Sequence, residues 1–556
     1  MSGLDWAVLL CTVLAIVALG LWKTRRVKTA DAYLRGGNDR FWTIGLSIMA
    51  TQASAITFLS TPGQAYEDGL GFIQFYFGLP IAMVLLAWFV VPIYRRLHVY
   101  TAYEYLEQRF DKKTRKLTAI LFLISRGLAA GLSLYAPSLV LSAVLGWPLQ
   151  ATNLCMGVLA ILYTVSGGTR AVTATQTLQM GIMLTGMFLA FLFVLHALPH
   201  GMGLSEMVTV AGALGKMKAV EPSLRVDTRY TLWSGLIGGL FVALAYFGTD
   251  QSQVQRYLGG ASTKESRTGL LFNALVKVPM QFLVLMVGIA VLVFHQFERP
   301  PLLWNEVAAS EARKSPQAKT QLDALDGRLT QVFTDKRSAI ESLLAGHNEA
   351  KQRIADNEKA ERALRLEARK IVRENAPPGQ ASDADSIFLT FVLRHFPHGL
   401  LGLLLAVIIC AALSATASAL NALGATTVVD FLKPRDDRAR LRAARFFTAF
   451  WGLVALSFAA FASLLDNLIQ AVNILGSIFY GPMLGVFLVG WAIPRVRGTP
   501  AFVATLVAQA SVVVLWRSTS LGYLWYNVAG CALVVAIALA LDLVIPRGMP
   551  ATEPCS

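Results

Sequence analysis

The sequence predicts an all-α membrane protein of about thirteen transmembrane helices carrying one helical hairpin insertion outside the bilayer, and three observations predict it. Of its 556 residues 55% are hydrophobic and 15% charged, with a mean hydropathy of +0.54, which is more apolar than an ordinary soluble chain. Runs of roughly 18 or more apolar residues, long enough to cross about 30 Å of hydrocarbon as helix, recur about thirteen times. One long stretch, residues 298–387, replaces them with charge.

In chain order the spans are residues 4–22, 42–62, 71–94, 117–144, 150–166, 171–196, 230–248, 269–296, 388–430, 444–464, 467–493, 499–516 and 521–545. The first has no basic leader before it and no small-residue cleavage site after it, so it reads as a retained helix and not a signal peptide. The ninth is too long for one crossing, and its first part reads as a surface helix leading in. Basic residues follow the odd-numbered spans: Lys23, Arg25, Arg26 and Lys28; Arg95, Arg96, Lys112, Lys113, Arg115 and Lys116; Arg256, Lys264 and Arg267; Lys433 to Arg442; Arg495 and Arg497. Short basic loops stay cytoplasmic, which predicts an integral plasma-membrane protein with its N-terminus outside and its C-terminus, with Arg547, inside. The net charge of +15 is therefore topological and asks for no nucleic-acid partner. Cys11, Cys155, Cys410, Cys531 and Cys555 show neither ligand nor disulfide spacing.

Parity places residues 298–387 on the extracytoplasmic side. Leu322, Leu325, Leu329 and Val332 are spaced three and four apart among good helix formers, with a turn at Ala345 to Asn348. This predicts a coiled-coil-like hairpin standing off the membrane and ended by Pro377, Pro378 and Gly379. A docking element for an unknown partner and a tolerated surface insertion are both open, and the second is favoured because surface insertions are cheap.

No metal-ligand spacing, nucleophile elbow or phosphate loop is present, so no enzyme announces itself. What remains is polarity at membrane depth, which is expensive and defaults to function when it lines a cavity. "SIMATQASAITFLSTPGQAYEDG", residues 47–69, holds Thr51, Gln52, Ser54, Thr57 and Ser60. If its helix is interrupted at Thr51 to Ser54, freed carbonyls can hold a cation while Ser54 and Thr57 face one cavity; the bland alternative is hydroxyls bonded to their own helix. Arg126 lies about nine residues into its span, hence about 14 Å deep. With no acidic residue comparably deep, it asks for a bound carboxylate, to which Gln74 could add an amide; the bland alternative is an arginine that caps backbone carbonyls or snorkels to water. The third group is "AALSATASALNALGATTVVDF", residues 411–431, where Ser414 faces an unwound partner or the small residues simply pack.

"ADAYLRGGNDRFWTIGLSIMATQASAITFLSTPGQAYEDGLGF", "YRRLHVYTAYEYLEQRF", "YTVSGGTRAVTATQTLQ", "YFGTDQSQVQRYL" and "LSATASALNALGATTVVDF" together resemble the successive signatures of the sodium:solute symporter family over nearly the whole chain outside 298–387. The resemblance implies the inverted-repeat fold of the leucine transporter type, with spans two to six and seven to eleven as the repeats. The chain then divides into residues 1–40 (leading helix and basic loop), 41–297 (first repeat and start of the second), 298–387 (hairpin), 388–497 (rest of the second repeat) and 498–556 (two accessory helices and a short tail). It implies a sodium site on the carbonyls of Ala50, Ala53 and Ala411 and the hydroxyl of Ser414. Two departures remove oxygen or charge there: Ala415 in place of a second hydroxyl, and Thr175-Gln176 in place of a Thr-Asp pair, so one Na+ site is expected. Ser54, Thr57, Gln74 and Arg126 resemble the sialic acid branch, which implies import of a small anionic or zwitterionic solute from the bilayer's outer side. A sodium-independent or proton-coupled carrier on the same fold, and a transporter-like sensor, stay open.

Overall fold

The computed structural model describes residues 1–24, 27, 29–375, 383–461 and 468–544. Arg25, Arg26, Lys28, Pro377, Pro378, Gly379, Arg547 and Cys555, named above, lie outside them. Among the described residues the regular structure is helical throughout, and ten helical stretches are long and apolar enough to cross a membrane.

The first apolar run is α1 (Gly3–Thr24), followed by the short α2 (Ala30–Leu34). The second is broken into α3 (Phe41–Gln52) and α4 (Ala55–Asp68), because Ala53 (φ −81°, ψ 86°) and Ser54 (φ −81°, ψ 171°) leave helical space. The third winds as Gly69–Tyr76, α5 (Leu79–Leu85), the wide turn Leu86–Val90 and α6 (Val91–Arg96) before α7 (Ala102–Arg109), whose Thr101 and Glu104 form a capping box. Then come α8 (Lys112–Leu145), capped by the Asp111 side chain, and α9 (Leu149–His196), which carries both the fifth and the sixth expected spans. They are joined at Gly168, whose φ of 57° and approach to Tyr33 leave no room for a side chain: a Cβ there would sit 2.5 Å from the ring.

After α10 (Leu204–Ala213), the seventh apolar run ends as α11 (Gly239–Gly248) and turns at Asp250 into α12 (Gln251–Leu258) and α13 (Thr263–Phe294). The charged region forms α14 (Glu306–Ala312), α15 (Pro316–Leu344) and α16 (Ala350–Asn375). The long ninth run divides at residues 396–399 into α17 (Ala384–His395) and α18 (Leu400–Thr426). α17 is not the surface helix expected: Ile387, Phe388, Phe391 and Val392 are buried, and the helix lies so close on α4 that a Cβ at Gly63 would stand 1.8 Å from the Ala384 carbonyl. α19 (Asp437–Ala459), α20 (Leu468–Ala492), α21 (Gly498–Ser518) and α22 (Leu524–Val544) complete the chain.

α18 is the axis of the packing, buried along almost its whole length and flanked by α9, α8, α19 and α1. The hairpin corrects a second expectation, for it does not stand off. One half of it builds its own core from Leu322, Leu325, Leu329, Leu364 and Ala368, while Ala339, Ile340, Leu343 and Ile354 join the main core of the bundle. The other anchors are ionic: Arg369 pairs with Glu67 at the end of α4, Lys216 with Glu358 (3.1 Å), and Arg394 of α17 with Glu306. Burial would raise the Glu361 carboxyl, yet Lys336 and Arg365 on either side outweigh it and hold it at about 2.

Candidate solute and sodium site

The break between α3 and α4 opens onto a cavity of about 130 Å³ at the middle of the bundle. Gln52, Ser54 and Thr57 face it from the broken helix, Ser125 and Arg126 from α8, and Asn473, Ser477 and Tyr480 from α20. Phe72, Phe75, Tyr76 and Tyr246 supply an aromatic wall. Such a wall with a few convergent polar groups is the form of a small-molecule site. Ser54 reaches this position because it precedes α4 without using its hydroxyl as a cap, and Thr57 follows one turn later.

Arg126 is not alone, contrary to the expectation that no acid lies at its depth. Its Nη2 donates to the Asp250 carboxylate and, at 2.9 Å, to the Tyr480 hydroxyl, which itself donates to Asp250 Oδ2 at 3.3 Å. Asp250 is fully buried, and its other oxygen accepts from Ser252 N (2.9 Å) and Ser252 Oγ (2.6 Å) as the cap of α12. Sequence reasoning missed it because it stands two residues past the apolar run 230–248; the available signal was an acid at a cap position inside "YFGTDQSQVQRYL". Even with this partner, Arg126 Nε is buried without an acceptor.

Gln74 is placed differently from the other three. Its Nε2 donates to the carbonyls of Gly71 and Tyr230, both at 3.1 Å, and its Oε1 accepts from Glu221 N at 2.9 Å, so the amide is fully engaged in the frame behind the cavity. It is absent from the lining.

Three of the four candidate cation ligands meet beside the same helix break. Ser414 Oγ lies 2.6 Å from the Ala50 carbonyl and 3.3 Å from the Ala411 carbonyl, and Ala53 is the residue at which α3 unwinds. Three oxygens from two helices therefore converge beside a broken helix end, where carbonyls lack partners and the helix dipole is negative. Such a donor set suits a hard monovalent cation. Beside it, Gln176 Nε2 donates to the Ser414 carbonyl (3.0 Å), Ser418 Oγ (2.7 Å) and Thr51 Oγ1 (3.1 Å), while Oε1 accepts from Ser47 Oγ (2.5 Å). One amide thus ties α9 to α3 and α18.

The sodium:solute symporter family model matches residues 33–323. Over 99% of this chain and 96% of its own length, the sodium/sialic acid symporter SiaT of Proteus mirabilis is 25% identical. The human sodium/iodide cotransporter is 26% identical over 92% of this chain and 69% of its own, and the mouse sodium-coupled monocarboxylate transporter 1 is 26% identical over 88% and 68%. Among solved structures, a sodium-coupled sialic acid symporter in its substrate-bound outward-open state superimposes with a TM-score of 0.77 at 23% identity, covering 98% of both chains. Mhp1, a nucleobase-cation-symport-1 family transporter, does so with 0.52 at 11% identity, covering 92% of this chain and 94% of its own. The fold is that of the leucine transporter type.

Proposed function

Because the chain belongs to the sodium:solute symporter family, a multi-pass membrane protein moving an organic solute together with sodium, we propose that its solute is a small polar carboxylate, anionic or zwitterionic, taken inward. The observation that carries this is Arg126: a deep guanidinium in the cavity wall whose Nε keeps a buried, unclaimed N–H after Asp250 and Tyr480 are satisfied. A carboxylate is the acceptor that such an edge binds best. Ser54 and Thr57 then receive the solute's hydroxyls or amide, and the aromatic wall receives its body. The three relatives named above carry anions by their names, which agrees with this reading.

Sodium is held by the carbonyls of Ala50, Ala53 and Ala411 and by Ser414, one ion per cycle, since the Gln176 amide already claims the adjoining oxygens. Sodium at the broken end of α3 and the carboxylate at the first turn of α4 share one backbone, so each strengthens the other by the same free energy. The basic loops at Arg95 to Lys116 and Lys433 to Arg442 put those ends in the cytoplasm and the hairpin outside.

Proteoliposome uptake tests the assignment, using labelled sialic acid and a panel of amino and hydroxy acids with and without an inward sodium gradient. The expected result is sodium-stimulated accumulation of at least one carboxylate. Accumulation confined to uncharged solutes would overturn it.

A further inference from the structure

The hairpin closes a second cavity, of about 170 Å³, against the end of α4. It sets Lys216, Arg362, Arg365 and Arg369 against Glu67, Asp68, Glu358 and Glu361, with Tyr66, Leu292, Trp304 and Leu366 forming its apolar part. The two kinds of charge are not equally occupied. Glu361 accepts from Lys336 Nζ and from Arg365 Nε (2.9 Å); Glu358 accepts from Lys336 Nζ (3.2 Å) and pairs with Lys216 (3.1 Å); Glu67 pairs with Arg369. Asp68 accepts from Gln64. Arg365, by contrast, is only 8% exposed and spends Nε on Glu361 and Nη1 on the carbonyls of Pro301 and Leu302, both at 2.9 Å, while its Nη2 has no acceptor.

A buried guanidinium nitrogen without an acceptor is costly, and the acids nearby are already engaged. What the site lacks is one more oxyanion. We propose that this cavity is a second anion-binding site, in which a small oxyanion, a carboxylate above all, is held by Arg365 with Lys216 and Arg369 at its margins.

The place of the site gives it a consequence. Its floor is the last turn of α4, where Lys216 Nζ (2.6 Å) and Arg362 Nη2 both donate to the Glu67 carbonyl. The first turn of the same helix presents Ser54 and Thr57 to the central cavity. An anion joining α16 to the end of α4 therefore holds both ends of one helix between two ligands, and occupancy of the two sites is thermodynamically linked. The oxyanion has two sources, the transported carboxylate itself or an inorganic anion such as sulfate. The site rests on the hairpin's own geometry and not on the solute assigned to the central cavity, so either assignment can fail alone.

Amide hydrogen exchange on the full-length protein decides it, with N-acetylneuraminate, acetate and sulfate as probes against chloride at equal ionic strength. The expected result is slowed exchange within Ala350–Asn375 with at least one oxyanion, retained in Arg126→Ala and lost in Arg365→Gln. Leu366→Trp, at an exposed lining position outside the ion pairs, fills the cavity and loses the effect too, which separates site loss from unfolding of the hairpin. Slowing by the two carboxylates alone assigns the site to the transported class, and equal slowing by sulfate assigns it to inorganic oxyanions. Unchanged exchange with all three, or slowing that survives both substitutions, overturns the proposal.

Discussion

The broken helix at the centre and the hairpin at its outer end are both polar, but they meet their polar requirements in opposite ways. In the hairpin, charges are paired one turn apart on the same helix, Glu361 with Arg365 and Glu358 with Arg362, and across to Lys336 on the facing helix. At the centre the partners are remote in sequence: Arg126 with Asp250, Gln176 with Ser414 and Ser418, Ser414 with Ala50. Local pairs support a helix that would form anyway; remote pairs exist only once four or five helices have packed. The centre also keeps buried atoms without partners, Gln52 Oε1, Arg126 Nε and Thr416 Oγ1 among them. The hairpin's charges are mostly paired, with Arg365 Nη2 left without an acceptor in the cavity against α4.

Five substitutions or conditions sharpen that contrast. The largest effect is expected from Arg126→Ala, which removes charge-assisted hydrogen bonds of about 1.5–3 kcal/mol each and should lower carboxylate kcat/KM by roughly a hundredfold or more while the protein still elutes as a folded species. Asp250→Asn keeps the cap acceptor but leaves Arg126 without its counter-charge, so it should lose thermal stability as well as uptake; a variant with wild-type melting and transport would show that the pair is dispensable. Ser414→Ala comes next. Losing one hydroxyl ligand should raise the half-saturating sodium concentration by about tenfold, equivalent to about 1.4 kcal/mol, with little change in solute KM at saturating sodium. An unaltered sodium curve would remove Ser414 from the ion's shell.

Gln74→Leu separates frame from site. It strands the Glu221 amide and two carbonyls, so melting should fall by an amount equivalent to about 1–3 kcal/mol while solute KM stays within about twofold. A large KM change with unchanged melting would bring Gln74 back to the solute. The smallest effect at neutral pH concerns the hairpin. Because the folded-state Glu361 carboxyl is depressed to about 2 by Lys336 and Arg365, against burial, its stabilising contribution is fully present above the ordinary carboxylate range. It is lost as pH falls through about 2. Hydrogen exchange in the hairpin should therefore quicken progressively on acidification below that range, and Glu361→Gln should flatten the dependence.

The sequence alone determined the helical membrane architecture, a helix break near Thr51 to Ser54 and the hairpin with its turn, while only the family resemblance implied that Ser54, Thr57 and Arg126 share one site. Each of the first three is a local property: apolar length sets a span, three-and-four spacing sets a hairpin seam, and a cluster of hydroxyls inside an apolar run is unusual whatever surrounds it. Only the tertiary structure decided that Asp250 stands against Arg126, that Gln74 is spent on the backbone of Gly71 and Tyr230, that Gln176 occupies the oxygens next to Ser414, and that the hairpin lies down on Glu67. These are pairings across more than a hundred residues, except for Gly71. Residue type states what a side chain can donate or accept, but which partner claims that capacity is settled by packing, since a buried polar group takes the nearest acceptor the fold leaves it.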